Sequence, residues 1–211
     1  MGNADAEDDR TRSRHLRITE PSPWVRRFAG LIPAGGRVLD VAAGNGRHAR
    51  FLMGLGYPVT AVDRDAEALA GLAAEKAATA IVADLETGAD PFGPGGPLAG
   101  QSFAGIVVVN YLYRPLMASL IGGLAPGGAL LYETFARGNE PFTRPRNPDH
   151  LLKSGELLAL VAGKLQVVAY EHGRIDAAEI PGVKQRVAAV NDLGQSARDD
   201  GEPEPHPIPN S

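Results

Sequence analysis

Apolar residues fall in short, evenly spaced runs along this chain, with a turn-forming cluster between each run and the next. The unbroken Ile106-Val107-Val108-Val109 is the plainest of them. A β-branched run of that length suits a parallel strand buried on both faces. The same reading predicts strands at residues 37–42, 58–63, 80–83, 103–110, 129–135, 165–171 and 183–190. Helical spacing fills the gaps between them. Ser22-Pro23 supplies an N-cap followed by proline at the first helical position, so residues 24–30 form a short helix. Further helices are expected at 47–56, with Phe51, Leu52 and Leu55 inward, at 66–76 behind a capping Asp65, and at 115–124 and 151–162. Residues 87–100, rich in Gly and Pro, form a long irregular connection. Residues 173–182 are too few for a helical crossover and join the last two strands as an antiparallel pair.

Five β–α units closed by such a pair define an α/β chain. The expected architecture is a single open Rossmann-like seven-stranded sheet, mostly parallel with strand seven antiparallel, and helices on both faces. Its expected limits are residues 21–192, between a flexible N-terminal arm at 1–20 and a disordered tail at 193–211. The arm carries Arg10, Arg12, Arg14, His15 and Arg17, which read either as a solvated tail or as contacts to an acidic substrate. Ligands of open α/β sheets lie at the carboxyl ends of the strands, near the reversal in strand order. That rule points the crevice at residues 40–46, Asp63-Arg64, Asp84-Leu85, residues 110–114 and Glu133.

Composition removes several chemistries. A formal net charge of −4 without a basic stripe gives no drive toward nucleic acid or an anionic membrane. The absence of cysteine excludes disulfides, Cys-ligated zinc and thiolate nucleophiles. No grouping of His and carboxylates marks a metal site. No apolar run approaches the roughly 18 residues of a membrane span, and the acidic-then-basic start lacks the apolar core of a signal peptide. A cytoplasmic protein, monomeric or homodimeric, is expected.

The richest segment is Val38-Leu39-Asp40-Val41-Ala42-Ala43-Gly44-Asn45-Gly46-Arg47-His48: a strand, an acidic residue near its end, a Gly-x-Gly turn and a helix start. Glycines let backbone approach a ligand closely and tolerate positive φ. Gly44-x-Gly46-x-x-Ala49 also satisfies a dinucleotide fingerprint, with Asp63 ending the next strand. Asp40 separates the two possibilities, because a carboxylate beside the turn repels a pyrophosphate and attracts a cation. S-adenosylmethionine, with its ammonium and sulfonium and no phosphate, is the ligand this predicts.

These features resemble the class I S-adenosylmethionine-dependent methyltransferases over about residues 22–192. Val38–Gly46 is similar to their first motif, and Leu124-Ala125-Pro126-Gly127-Gly128 to the turn before their fifth strand. Gly44-Asn45-Gly46-Arg47-His48, Tyr132-Glu133-Thr134-Phe135 and Gly138-Asn139-Glu140 further resemble the small bacterial tellurite-resistance-type methyltransferases, although Ala43 stands where those often carry cysteine. The resemblance implies a cofactor site built from Asp40, Ala42, Gly44, Asn45, Gly46, Asp63, Arg64, Asp84, Leu85 and Asn110. In it Asp40 faces the methionine ammonium, Asp63 the ribose hydroxyls, and Asp84 with Leu85 the adenine. Asp40, Asp63 and Asp84 also read as turn or helix caps, and Arg64 as a surface residue.

Methyl transfer needs a base only when the acceptor still carries a proton. Tyr111 and Glu133 are the catalytic candidates, with Tyr113, His150, His172 and His48 behind them. Tyr111 alternatively packs against the sulfonium. The segment Asn110-Tyr111-Leu112-Tyr113 is not the Pro-Pro-aromatic motif of base-amine methylases, and no residue announces an acceptor. A small-molecule acceptor is the expectation. The alternatives are a non-catalytic protein that binds the same cofactor and a nicotinamide-dependent oxidoreductase.

Overall fold

The computed structural model describes residues 18–176 and 181–210. The basic residues Arg10 to Arg17, and the part of the last hairpin at 177–180, lie outside the described residues. Seven strands form one sheet: β1 (Val38–Val41), β2 (Val59–Asp63), β3 (Ala78–Val82), β4 (Phe103–Val109), β5 (Leu124–Phe135), β6 (Gln166–Ile175) and β7 (Gly182–Val190). Their spatial order is β3-β2-β1-β4-β5-β7-β6. β1 to β5 run parallel, while β7 is antiparallel to both β5 and β6. The mostly parallel seven-stranded arrangement read from the sequence is therefore the one that forms. Strand order reverses between β1 and β4, which opens a crevice above their carboxyl ends.

Side-chain alternation explains why the central strand β4 is apolar without interruption. Val107, Val109 and Leu131 enter one core layer with Trp24, Phe28, Leu52 and Leu72. Ile106, Val108, Leu130 and Tyr132 enter the other, with Leu116, Leu120 and Leu157. Successive residues of a strand face opposite ways, so a strand covered on both sides has no solvent position to fill with a polar residue.

Among the described residues, five short α-helices cover these faces: α1 (Pro23–Phe28), α2 (Arg47–Gly54), α3 (Ala66–Ala73), α4 (Met117–Gly122) and α5 (Glu156–Val161). Ser22 caps α1 by accepting from the Trp24 N–H, and Asp65 caps α3 by accepting from Glu67 and Ala68. Three expectations need correcting. Leu55 lies past the end of α2 and is 53% exposed, so the buried face is His48, Ala49 and Leu52. The helix expected at 151–162 begins only at Glu156, because Leu152 is drawn into a bridge with Ala136 beside β5. β5 also begins earlier than predicted, at Leu124, and passes through an irregular step before its regular pairing resumes at Ala129. Asn191 closes that step by exchanging backbone hydrogen bonds with Gly127 and Gly128. Beyond it the chain is irregular; Pro203 is buried and the Pro209 carbonyl accepts from Arg27 at 3.0 Å.

Candidate cofactor site

The turn after β1 is shaped by three left-handed residues: Ala42 at φ 52°, Gly44 at 54° and Gly46 at 76°. Two of them are glycines, which adopt this region freely; alanine does so at a cost of about 1–2 kcal/mol. Gly46 is glycine for a second reason. A Cβ there would meet Leu72 at 2.2 Å, so its absence lets α2 and α3 pack together.

Asp63 fixes the turn from the neighbouring strand. One carboxylate oxygen accepts from the Gly44 N–H at 2.8 Å and the other from the Asp65 N–H at 2.9 Å. Each oxygen keeps a further acceptor position. Asp65 takes the helix-capping role, which leaves Asp63 turned to the crevice. Asp84 accepts from the Glu86 N–H at 2.8 Å in a local turn and stays exposed.

These elements enclose a cavity of about 580 Å³ at the carboxyl ends of β1 to β4. It brings together Ala42, Gly44, Asp63, Arg64, Asp84, Leu85, Asn110 and Tyr111 of the predicted site. Five carboxylates line it (Asp63, Asp65, Glu67, Asp84 and Glu86) against the single guanidinium of Arg64. Such a wall disfavours a polyphosphate and favours hydroxyl, amino and cationic groups.

Four predicted residues lie elsewhere. Asp40 is 1% exposed and points beneath the turn, where it accepts from the Ala49 N–H of α2 at 3.0 Å. Burial pushes its carboxyl up to about 7, opposed by that hydrogen bond and by Arg47. Asp40 is not among the residues that line the cavity, and its hydrogen bond to the Ala49 N–H supports the start of α2. Asn45 donates to the Ile18 carbonyl at 3.1 Å and so fastens the segment before α1. Gly46 is buried against Leu72.

Glu133, the fourth, is 2% exposed and closed within the protein. Lys184 Nζ lies 2.5 Å from one oxygen, while Arg186 Nε and the Ser22 hydroxyl each lie 2.9 Å from the other. Burial raises its carboxyl, but these partners together prevail and hold it below the ordinary range. A carboxylate so placed takes up no proton from a substrate, and Glu133 as a general base is set aside. Tyr111 does line the cavity, but burial and the nearby Glu86 and Asp84 raise its hydroxyl well above the usual tyrosine range. It keeps its proton at neutral pH. That hydroxyl is buried without a hydrogen-bond partner, as expected where a ligand supplies one.

His48 is buried, its Nε2 accepting from the Ser22 N–H at 3.2 Å, and burial with the adjacent Arg47 pushes it down to about 3. It is a neutral strut between α1 and α2. His172 is exposed on the far edge strand β6, and His150 is exposed after β5. Lys184 and Arg186 were not anticipated. Register places Arg186 opposite Glu133 and Lys184 opposite Phe135. The signal was present: an acidic residue inside the apolar run Leu130 to Phe135 needs cations from a neighbouring strand.

The sheet order and the antiparallel β7 are those of the Rossmann-like methyltransferase fold. Residues 25–88 match the sequence model of the family described as tellurite resistance protein TehB. No curated protein sequence matches the chain. Among solved structures, TehB from Haemophilus influenzae is similar with a TM-score of 0.62 at 17% identity, covering 78% of this chain and 60% of that one. This chain thus matches less than two thirds of that protein's length. A TehB-like methyltransferase from Corynebacterium glutamicum gives 0.58 at 17% identity, covering 90% and 100%. The 1,6-didemethyltoxoflavin-N1-methyltransferase of Burkholderia thailandensis, solved with its substrate and S-adenosylhomocysteine, gives 0.61 at 18%, covering 90% and 83%.

Proposed function

We propose that this protein is an S-adenosylmethionine-dependent methyltransferase acting on a small molecule. One observation carries the reading: Asp63 pins the Gly44 N–H while facing a crevice lined by five carboxylates at the reversal of strand order. The cavity, about 580 Å³, suits a nucleoside with an extended substituent. The unpartnered Tyr111 hydroxyl and the close approach allowed at Gly44 also fit such a ligand.

Asp63 is the residue to accept from the ribose hydroxyls, since it retains free acceptor positions after bonding the turn. Asp84 and the Leu85 backbone stand where a purine edge falls, beyond Asp63 in the order β2, β3. The Ala42–Gly44 backbone and Asn110 border the opposite end. When bound, the cofactor supplies an activated methyl group and its own thioether leaving group. The chain's part is to orient and to exclude water. With Tyr111 protonated and Glu133 sealed, the favoured acceptors present a lone pair without first losing a proton. The test is transfer of isotopically labelled methyl from S-adenosylmethionine to a panel of small amines, heteroaromatics and phenolates. Label must appear on a panel member and fall with Asp63→Ala at sub-saturating cofactor.

A second reading, a non-catalytic binder of the same cofactor, is favoured by the fact that neither catalytic candidate, Tyr111 or Glu133, is placed to act as a base. Tight cofactor binding without turnover on the whole panel selects it. Nicotinamide-dependent oxidation has weaker support, because the carboxylate wall opposes a pyrophosphate. A fluorescence titration with NADH checks it.

A further inference from the structure

Lys184 is an ammonium only 6% exposed, and methyl transfer as read above leaves it without a task. It sits on β7 over the Phe135 ring, 4.9 Å from its centroid. Nζ donates to Glu133 Oε1 at 2.5 Å and to Asn110 Oδ1 at 2.9 Å. Removing such a charge from water is costly, and its attraction to Glu133 alone does not require a link to Asn110. The link has a geometric consequence. An ammonium only donates, so the Asn110 amide must turn its oxygen toward Lys184. The NH2 edge is then the one left for the cavity that Asn110 lines.

Glu133 controls Asn110 twice. Its backbone carbonyl accepts from the Asn110 N–H at 2.9 Å, and its carboxylate holds the lysine that holds the amide. Asn110 is itself in the left-handed region at φ 58°, a conformation asparagine tolerates better than most residues. Backbone and side chain are both fixed. At this end of an otherwise acidic cavity, the wall therefore offers hydrogen-bond donors backed by a positive charge.

We propose that Lys184 is a positioning residue: by fixing the Asn110 amide it makes the β4 end of the cavity a site for an anionic oxygen, the carboxylate of the cofactor's amino-acid moiety. The inference rests on the cofactor reading above. A nucleoside whose diol and base meet Asp63 and Asp84 extends its substituent past Gly44 toward Asn110. Of the charged groups on that substituent, the carboxylate is the one that accepts from a donor edge, and the ammonium is repelled by Lys184.

Two ligands separate this role from general binding. S-adenosylhomocysteine carries the amino-acid moiety; 5′-methylthioadenosine has the same nucleoside thioether without it. In calorimetric titrations Lys184→Met is expected to weaken S-adenosylhomocysteine roughly ten-fold or more while methylthioadenosine stays within about two-fold of wild type. Asn110→Asp keeps the shape and the contact with Lys184 but replaces the donor edge with a carboxylate oxygen. It is expected to show the same selective loss, and it decides the matter should Lys184→Met fail to fold. Wild-type protein that binds neither ligand overturns the cofactor reading and this inference with it. Wild-type binding of both, with variants that weaken both equally or neither, overturns the positioning role alone.

Discussion

Replacing Asp40 by asparagine tests how a buried carboxylate at the heart of the glycine turn is tolerated. In the folded protein its carboxyl is raised from 3.8 to about 7, burial being the main cause. Between these values the unfolded chain has released the proton and the folded chain has kept it. Folding stability from this group therefore falls as pH rises from about 4 to 7 and is level above that. Two of those pH units lie above pH 5, so the penalty grows by about 3 kcal/mol between pH 5 and pH 8. Asparagine accepts the same Ala49 N–H bond, present at 3.0 Å in the wild type, without ionising. Urea unfolding of both proteins at the two pH values, without ligand, isolates the effect, because other titrating groups are common to both. The stability of Asp40→Asn relative to wild type should rise by about 3 kcal/mol on going from pH 5 to pH 8. A difference that is the same at both pH values refutes the buried, largely protonated Asp40. Cofactor affinity gives an independent check, since a residue that only supports α2 leaves S-adenosylhomocysteine binding at pH 6 near wild type.

Asp63→Ala is expected to weaken S-adenosylhomocysteine by about 1–3 kcal/mol through lost hydrogen bonds to a charged acceptor, read by calorimetry. It also releases the Gly44 and Asp65 N–H groups, so thermal unfolding should shift downward as well. Gly46→Ala places a Cβ against Leu72 in a left-handed conformation and should cost about 2–4 kcal/mol in chemical denaturation. Ala42→Gly removes an unfavourable φ of 52°, for a net gain of roughly 0.5–1 kcal/mol after the greater freedom of glycine in the unfolded chain. His48 stays neutral down to about 3 when folded but gains a proton below 6.5 when unfolded, so it withdraws stability as pH falls from 6.5. At pH 5 this amounts to about 2 kcal/mol, and His48→Gln should abolish that part of the acid sensitivity in denaturation curves at pH 5 and 7.

The sheet was legible because its signals are local: short apolar runs for β1 to β5, and proline and glycine clusters between several of them. The crevice followed from strand order, which is why Asp63, Asp84, Leu85 and Asn110 were found from spacing and do line one cavity. What spacing did not reveal is side-chain direction. Asp40 and Glu133 lie on buried strands, and whether a carboxylate there faces a ligand or a partner depends on the other elements packed around it. For Asp40 the partner was an N–H of the next helix, nine residues on. For Glu133 it was a pair of cations more than fifty residues away, set opposite by antiparallel register. Helix ends failed for a related reason: Leu151 and Leu152 have helical spacing, yet both are fully buried, and Leu152 pairs with Ala136.

The most direct measurement is a side-by-side calorimetric titration of the wild-type protein with S-adenosylmethionine and with NADH at neutral pH. An acid-walled crevice that takes a phosphate-free, positively charged adenosine ligand predicts saturable binding of the first and none of the second, with Asp63→Ala weakening what binds. Saturable binding of NADH alone contradicts the account at its base.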